Sequence, residues 1–574
     1  MRVPALALTA ALLTAALAGC LQDSATVDPA AQAAKTAFDT TRGWSMPLSP
    51  ALYELLEPVK EFVPSFDGTP ISVALFFPKI EGCDWSAASV PDSCKLPVVM
   101  DAGPYYAGII DQVKYRPPTI EWLVPRGYVV AHMSIRGTGE SGGCMELFSE
   151  NEQKDVSEVV TWLGTQPWST GSVGMIGRSY DGTTPLMAAG QGNPYLKTIV
   201  PISSVPSLRD LMFRNGTSEE RGPIFHSVVY WANYGLGAGD GGLPGHRQGH
   251  AQEQVCEDAV QGAVQGPLAM ATGDVSDAYW EERDLRQKVL DNYNGSIWII
   301  HGFEDWNVNP SQVVPWFNEL QDKGLRVKMW MGVWGHAYPD RVDEHRNVRW
   351  DWAEWVVRWF DSELKGLDVD TGPVVEVEDS LFVWRAEESY PPRDANWMEL
   401  ELGDGVLVPK GNASGASEMP LAADGTLSWT SEPLAQDMRI AGLPQIHVTV
   451  SPTTPVGGYL FAELHDVFPD GRTMRIGWAP IDLRYHAGGN TEPATLVPGQ
   501  PVLAKMEAEP MDAHLGEGHR LRLVLHKNGV EDVRESPSKE LLLIGVGGGL
   551  SVLRLPVIDR PDVLPTYNPP GLEE

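Results

Sequence analysis

The chain has 574 residues, of which 43% are hydrophobic and 21% charged, a globular composition that excludes a disordered protein and is too long for one ordinary domain. Its net charge of -33 opposes phosphate backbones, which excludes nucleic acid as a partner; solubility explains the charge before catalysis does. Twenty Trp, 58 Gly and 46 Pro indicate a turn-rich protein with large aromatic cores or clefts.

From the N-terminus, Met1-Arg2 is followed by an almost wholly apolar run from Ala5 to Ala18. The run is too short to span a membrane and is built as a signal peptide over residues 1–19. Leu17-Ala18-Gly19-Cys20 is similar to the bacterial lipobox, which implies cleavage and lipid on Cys20. An ordinary signal peptide that contains a Cys is the alternative, with secretion in place of membrane anchoring. Residues 20–45 are rich in Ala, Thr and Asp and read as a flexible tether. With Cys20 set aside, four cysteines remain, an even number that favours pairing outside the cytoplasm. Cys83 and Cys94 lie 11 residues apart in one polar loop, and Cys144 with Cys256 follows by elimination. No Cys-x-x-Cys pair exists, and His246 and His250 lack the Glu of a zinc-protease helix, so no metal is expected.

From about residue 46, strand-like and helical patterns alternate. Strands are expected at Leu96–Asp101, Tyr128–Ile135, Val173–Ile176, Thr198–Ile202, Ile297–His301 and Val327–Val333. Helices are expected at Ile120–Arg126, Glu150–Leu163, Thr184–Ala189, Pro310–Leu320 and Trp350–Leu364. This alternation implies a parallel sheet covered by helices on both faces. It breaks at about 205–290, a Gly-rich polar stretch read as an insertion over the carboxyl edge of the sheet. After about 371 the runs become short and alternating, as in Gln445–Val450, Tyr459–Leu464 and Arg520–Leu525, which predicts a β sandwich or jelly roll over 372–574.

Val173-Gly174-Met175-Ile176-Gly177-Arg178-Ser179-Tyr180-Asp181-Gly182 carries the strongest chemical signal. A strand, a tight turn holding a Ser, and a helix make a nucleophile elbow, although Asp181 stands where the usual second Gly would be. A Ser hydroxyl needs a base, and the base needs an orienting acid. In such sheets the order is Ser, acid, His, each at a carboxyl strand end. Asp305 follows one predicted strand and His336 the next, with Glu304 the rival acid. Tyr180 supplies a main-chain N–H to a developing oxyanion. Tyr105, after the first predicted strand, is either a phenolic oxyanion donor or a packing residue.

Several of these motifs together resemble the Xaa-Pro dipeptidyl-peptidase and cocaine-esterase family. They are Gly-x-Ser-Tyr-x-Gly, Pro104-Tyr105, Arg136-Gly137-Thr138-Gly139-x-Ser141, and Gly302-x-x-Asp305-x-Asn307-Val308. Leu464-His465-Asp466-Val467-Phe468-Pro469-Asp470-Gly471-Arg472, Gly518-His519-Arg520-Leu521-Arg522-Leu523 and Pro498-Gly499 extend the likeness to about residue 560. The resemblance implies an α/β-hydrolase domain at 46–371 with a helical cap at 205–290, then a jelly-roll domain. It implies a Ser179–Asp305–His336 triad, an oxyanion hole of Tyr105 and the Tyr180 N–H, and no cofactor. Asp305-Trp306-Asn307-Val308 and Ser207-Leu208-Arg209-Asp210 look more like the peptidases than the esterases.

The sequence is compatible with three functions. The first is an exported dipeptidyl-peptidase that releases Xaa-Pro dipeptides. It needs a carboxylate for the substrate ammonium, for which Asp210, Glu219 and Glu220 are candidates by location. Trp306 and Tyr180 either wall a proline pocket or pack in the core. The second is an esterase or amide acylase on the same triad, and the third a non-enzymatic cell-surface binding protein. A homo-oligomer is compatible with any of them.

Overall fold

The computed structural model describes residues 48–105, 119–218, 226–227, 230, 259–272, 275–341, 349–489, 493–529, 536 and 538–565. Cys20, Glu219, Glu220, His246, His250 and Cys256 lie outside the described residues, as do the signal peptide and the tether.

The first domain is built on a ten-stranded sheet. Its strands in chain order are β1 (Val59–Pro64), β2 (Pro70–Phe76), β3 (Leu96–Gly103), β4 (Val129–Ser134), β5 (Ser169–Arg178), β6 (Leu196–Ile202), β7 (Ser296–Gly302), β8 (Val327–Gly332), β9 (Val375–Glu378) and β10 (Trp384–Glu387). Across the sheet they run β10-β9-β8-β7-β6-β5-β3-β4-β2-β1. The seven central strands from β9 to β4 are parallel, and antiparallel β10 and the β1–β2 pair close the two edges. Strands β3, β7 and β8 are buried at every position, which is why they read as largely apolar runs.

Helices α1 (Glu150–Thr165), α2 (Tyr180–Gly190), α3 (Leu208–Met212), α4 (Ala259–Thr272), α5 (Ala278–Glu282), α6 (Arg286–Asn292), α7 (Val314–Asp322) and α8 (Trp352–Lys365) cover the sheet or cross the insertion. In α1, Ser149 caps the helix by accepting from the Glu152 N–H. Val156, Val159, Val160 and Leu163 form its buried stripe, worth about 1.5–3 kcal/mol each. All eleven residues of α2 are buried. Pro185 inside it has no N–H for the Asp181 carbonyl, and Thr184 Oγ1 donates to that carbonyl instead at 3.0 Å.

The expected boundary near residue 371 shifts. β9 and β10 join the catalytic sheet, with Val375 and Val377 in parallel register with Met329 and Met331. Their short alternating runs look like the strands that follow, and only the pairing assigns them to the first domain. The remainder is strand-rich with a core of its own. Its principal strands include β11 (Asn396–Leu402), β12 (Gln445–Pro452), β13 (Tyr459–Val467), β14 (Thr473–Asp482), β15 (Met511–Leu515), β16 (Arg520–His526) and β17 (Val552–Ile558). Leu460, Ala462 and Leu464 of β13 enter that core with Leu521, Leu523 and Leu525 of β16.

The intervening β13 residues Tyr459 and Phe461 instead join Trp478 in a small aromatic cluster. Trp306 of the first domain packs on this cluster, its ring 5.8 Å from that of Trp478. The joint also holds a buried ion pair, Arg214 to Glu509 at 2.6 Å. Beside it Asn215 Nδ2 donates to the Pro480 carbonyl (3.1 Å) and the Asp482 N–H donates to the Asn215 carbonyl (2.9 Å).

Cys83 and Cys94 form the expected disulfide. Cys144 is likewise disulfide-bonded, and Cys256, the partner assigned to it, lies outside the described residues.

Candidate active site

Ser179 sits between β5 and α2 with φ 65° and ψ -123°, a left-handed conformation that a non-glycine residue adopts only where its surroundings enforce it. The enforcement is steric. A side chain at Gly177 would meet the Asp181 carbonyl at 2.3 Å, and one at Gly182 would meet the Ile202 carbonyl at 2.4 Å. Asp181 itself is buried, its carboxylate seated against Gly103, where a Cβ would come within 1.5 Å of it. The fifth motif position therefore fills a gap that glycine leaves on β3. The Ser179 N–H continues the sheet ladder to the Ile202 carbonyl at 2.9 Å.

Asp305 and His336 come from the loops after β7 and β8, on the carboxyl edge that also carries Ser179. His336 Nδ1 lies 2.9 Å from Asp305 Oδ2 and 3.1 Å from Oδ1. A carboxylate only accepts, so Nδ1 carries the proton of that contact. The Asp305 Oδ1 also accepts from the N–H groups of Asn307 (3.1 Å) and Val308 (2.8 Å). Asp305 is fully buried, and burial alone raises its pKa; attraction to His336, the hydrogen bond to it, His301 and the Val308 N–H together bring it down to about 2. Burial lowers the pKa of His301, which lies 2.8 Å from the Val308 carbonyl through Nε2, although Asp305 opposes this. The rival Glu304 is not the acid that meets His336.

Around the elbow the structure adds two residues. Arg178 Nη1 donates to the His336 carbonyl at 2.5 Å, and its guanidinium lies 4.9 Å from the Tyr338 ring. Glu152, fully buried, accepts from the Tyr180 hydroxyl at 2.6 Å. Neither stood out in the sequence: an Arg before the Ser carries no motif of its own, and Ser149-x-x-Glu152 reads as a helix-capping box.

Tyr105 lies just beyond β3, its hydroxyl 2.9 Å from that of Tyr230 and its ring edge-on to Tyr180. Tyr180 contributes its N–H at the first position of α2, where helix geometry provides no intrahelical acceptor. Its ring is buried against Phe148 and Tyr230, so it packs in the core. Trp306 packs on the second domain as described, and Asn307 offers its main chain to Asp305. The Asp210 carboxylate is held by Arg286 at 2.6 Å and Arg209 at 3.6 Å, in a network with Asp284 that ties α3 to α6.

Comparison with known proteins places the chain in a family. Residues 67–338 match the family model of the X-Pro dipeptidyl-peptidase S15 family, and residues 367–526 match that of the X-Pro dipeptidyl-peptidase C-terminal non-catalytic domain; together they cover three quarters of the chain. The chain belongs to the S15 family of serine hydrolases. Among S15-like relatives, a Streptomyces avermitilis protein provisionally named Xaa-Pro dipeptidyl-peptidase is 29% identical over 427 residues, 66% of this chain and 59% of its own length. A Bacillus anthracis protein with the same provisional name is 25% identical across 75% of this chain and 77% of its own. The chain thus spans less than two thirds of the Streptomyces relative. Among solved structures, an aminopeptidase from a marine-sediment thaumarchaeon superposes with TM-score 0.69 at 17% identity, covering 90% of this chain and 98% of the other. An α-amino acid ester hydrolase superposes with TM-score 0.66 at 18% identity, covering 91% and 99%. At these identities the superpositions show the fold that the two share with this chain.

Proposed function

We propose that this protein is an exported serine hydrolase that releases N-terminal Xaa-Pro dipeptides through an acyl-enzyme on Ser179. The observation that carries the reading is the buried Asp305 carboxylate on His336 Nδ1, at the carboxyl edge where the strained Ser179 elbow ends. The matched S15 model and the names of the sequence relatives support the substrate class.

In this mechanism Ser179 Oγ attacks the carbonyl that follows proline, and His336 Nε2 takes its proton. Asp305 keeps the imidazole in the required tautomer and stabilises the imidazolium. The oxyanion is met by the Tyr180 N–H and the Tyr105 phenol. Tyr230 can donate to the Tyr105 oxygen and leave the Tyr105 proton for the oxyanion. Loss of one such donor raises the barrier by about 3–4 kcal/mol. His336 then protonates the leaving amine, and water hydrolyses the ester by the reverse path.

The cellular reading completes the proposal. Cleavage before Cys20 and lipid on that cysteine would hold the enzyme on the outer face of a membrane, where Cys83–Cys94 can stay oxidised. Cys20→Ser would then move the protein from membranes to the medium.

The decisive experiment compares Ala-Pro-p-nitroanilide, its N-acetyl derivative and p-nitrophenyl butyrate, with Ser179→Ala as control. Cleavage of the free-amine substrate that is lost on acetylation and in Ser179→Ala supports the proposal. Cleavage of the ester alone makes the protein an esterase or acylase on the same triad, and activity that survives in Ser179→Ala removes the nucleophile assignment.

A further inference from the structure

The turn Glu146–Phe148 has two consecutive non-glycine residues in the left-handed region, Leu147 at φ 49° and Phe148 at φ 63°. Opposite charges hold its peptide units from two sides. On the inner side the Glu152 carboxylate accepts from the Glu146 N–H and the Phe148 N–H, both at 2.7 Å. On the outer side Arg283, from the end of the inserted segment, donates to the Glu146 carbonyl (3.0 Å) and the Leu147 carbonyl (2.8 Å). The N–H groups face an acid and the carbonyls face a cation, so the turn is oriented electrostatically as well as by packing.

The same carboxylate reaches the elbow. Glu152 Oε2 accepts from the Tyr180 hydroxyl at 2.6 Å, and the Phe148 ring meets the Tyr180 ring at a centroid distance of 4.5 Å. Tyr180 is thus held at its hydroxyl by Glu152 and packed at its ring against the residue whose N–H Glu152 holds. Its own N–H begins α2, one bond after Ser179.

We propose that Glu152 is a positioning residue for the hydrolytic reaction: through the Tyr180 hydroxyl and the Glu146–Phe148 turn it fixes the Ser179–Tyr180 peptide unit, whose N–H meets the oxyanion. The proposal rests on the reading of Ser179 as nucleophile. It gives the inserted segment a route to the chemistry, because Arg283 and Glu152 grip the same turn. It also accounts for a buried acid that the triad does not use, one that burial raises to about 7 against the pull of its three donors.

Tyr180→Phe removes one hydroxyl and keeps the ring; Glu152→Gln keeps the shape but turns an amide toward N–H donors. Turnover of Ala-Pro-p-nitroanilide and the rate of Ser179 labelling by a fluorophosphonate would be measured for both variants and the double variant, each expressed per titrated serine so that unfolded protein does not count. The expected result is a kcat for Tyr180→Phe at least fivefold lower, KM within twofold, and slower labelling. Glu152→Gln should lose more, and the double variant no more than Glu152→Gln, since the hydroxyl acts only through the carboxylate. If Glu152→Gln does not fold, Tyr180→Phe decides alone. The proposal is overturned if Tyr180→Phe keeps kcat and labelling within twofold of the parent, or if the two losses multiply in the double variant. Ser179→Ala separates the two levels: unchanged hydrolysis or labelling there would sink the nucleophile assignment, whatever Glu152 does.

Discussion

Arg178, the residue before the candidate nucleophile, hydrogen-bonds the main-chain carbonyl of His336, the candidate base. The bond joins the turn after β5 to the loop after β8 across two intervening strands. It therefore bears on the distance that a proton must travel between Ser179 and His336. Arg178→Met keeps a long side chain and removes the donor. A hydrogen bond to a charged group contributes about 1.5–3 kcal/mol, so kcat should fall about ten- to a hundredfold, with KM little changed. Steady-state kinetics on the substrate established by the profiling above would check this.

Asp305→Asn tests the acid more severely. An amide in place of the carboxylate can stabilise the wrong tautomer of His336, and a loss of about 10³–10⁴ in kcat is expected. Circular dichroism should stay native, because the amide can still accept from the Asn307 and Val308 N–H groups. A loss under tenfold would point to another acid.

The same residue predicts a pH dependence of stability. Its folded pKa of about 2 lies below the ordinary 3.8, so ionised Asp305 stabilises the fold above about pH 4. That contribution, on the order of 2 kcal/mol, is lost as pH falls from about 4 to about 2. Urea midpoints of the parent and Asp305→Asn should therefore converge over that window; a constant gap would contradict the assignment.

The candidates Ser179, Asp305 and His336 were legible because each stands just past a strand end, and strand ends are what apolar runs locate best. The alternating strands of the β domain were equally readable: Arg520–His526 shows the inward and outward alternation expected of a half-buried strand. Partners that depend on three-dimensional closure were not readable. Glu152 carries the signature of a helix cap, and only the turn folded over it shows three donors converging on its carboxylate. Asp210 is met by Arg286, 76 positions along the chain, a pairing that no local pattern announces. β9 and β10 resemble their successors in composition and differ in pairing alone.

Cys83 and Cys94 close a short loop near β3. Chain-entropy arguments assign such a loop about 3 kcal/mol of stabilisation, so a Cys83→Ser/Cys94→Ser variant should melt several degrees lower. Differential scanning calorimetry of the parent and the double variant would show the shift; unchanged melting would place the bond outside the cooperative unit.

Glu509→Ala should weaken the joint between the domains, because Arg214 would be left buried without its partner carboxylate, a loss of about 3–5 kcal/mol. One unfolding transition should separate into two. A single unshifted transition would show that the pair contributes little to docking.

Trp306 follows Asp305 directly, and its ring rests on Trp478 of the β domain. The residue next to the candidate acid is therefore backed by the β domain. Domain exchange among related enzymes faces a constraint from this. A β domain transplanted from a relative brings its own surface to the back of the acid loop, and chimeras should keep activity only when residue 306 and the aromatic cluster are exchanged as one unit. The peptide boundary near residue 390 and the boundary across which catalytic parts can be traded are different lines.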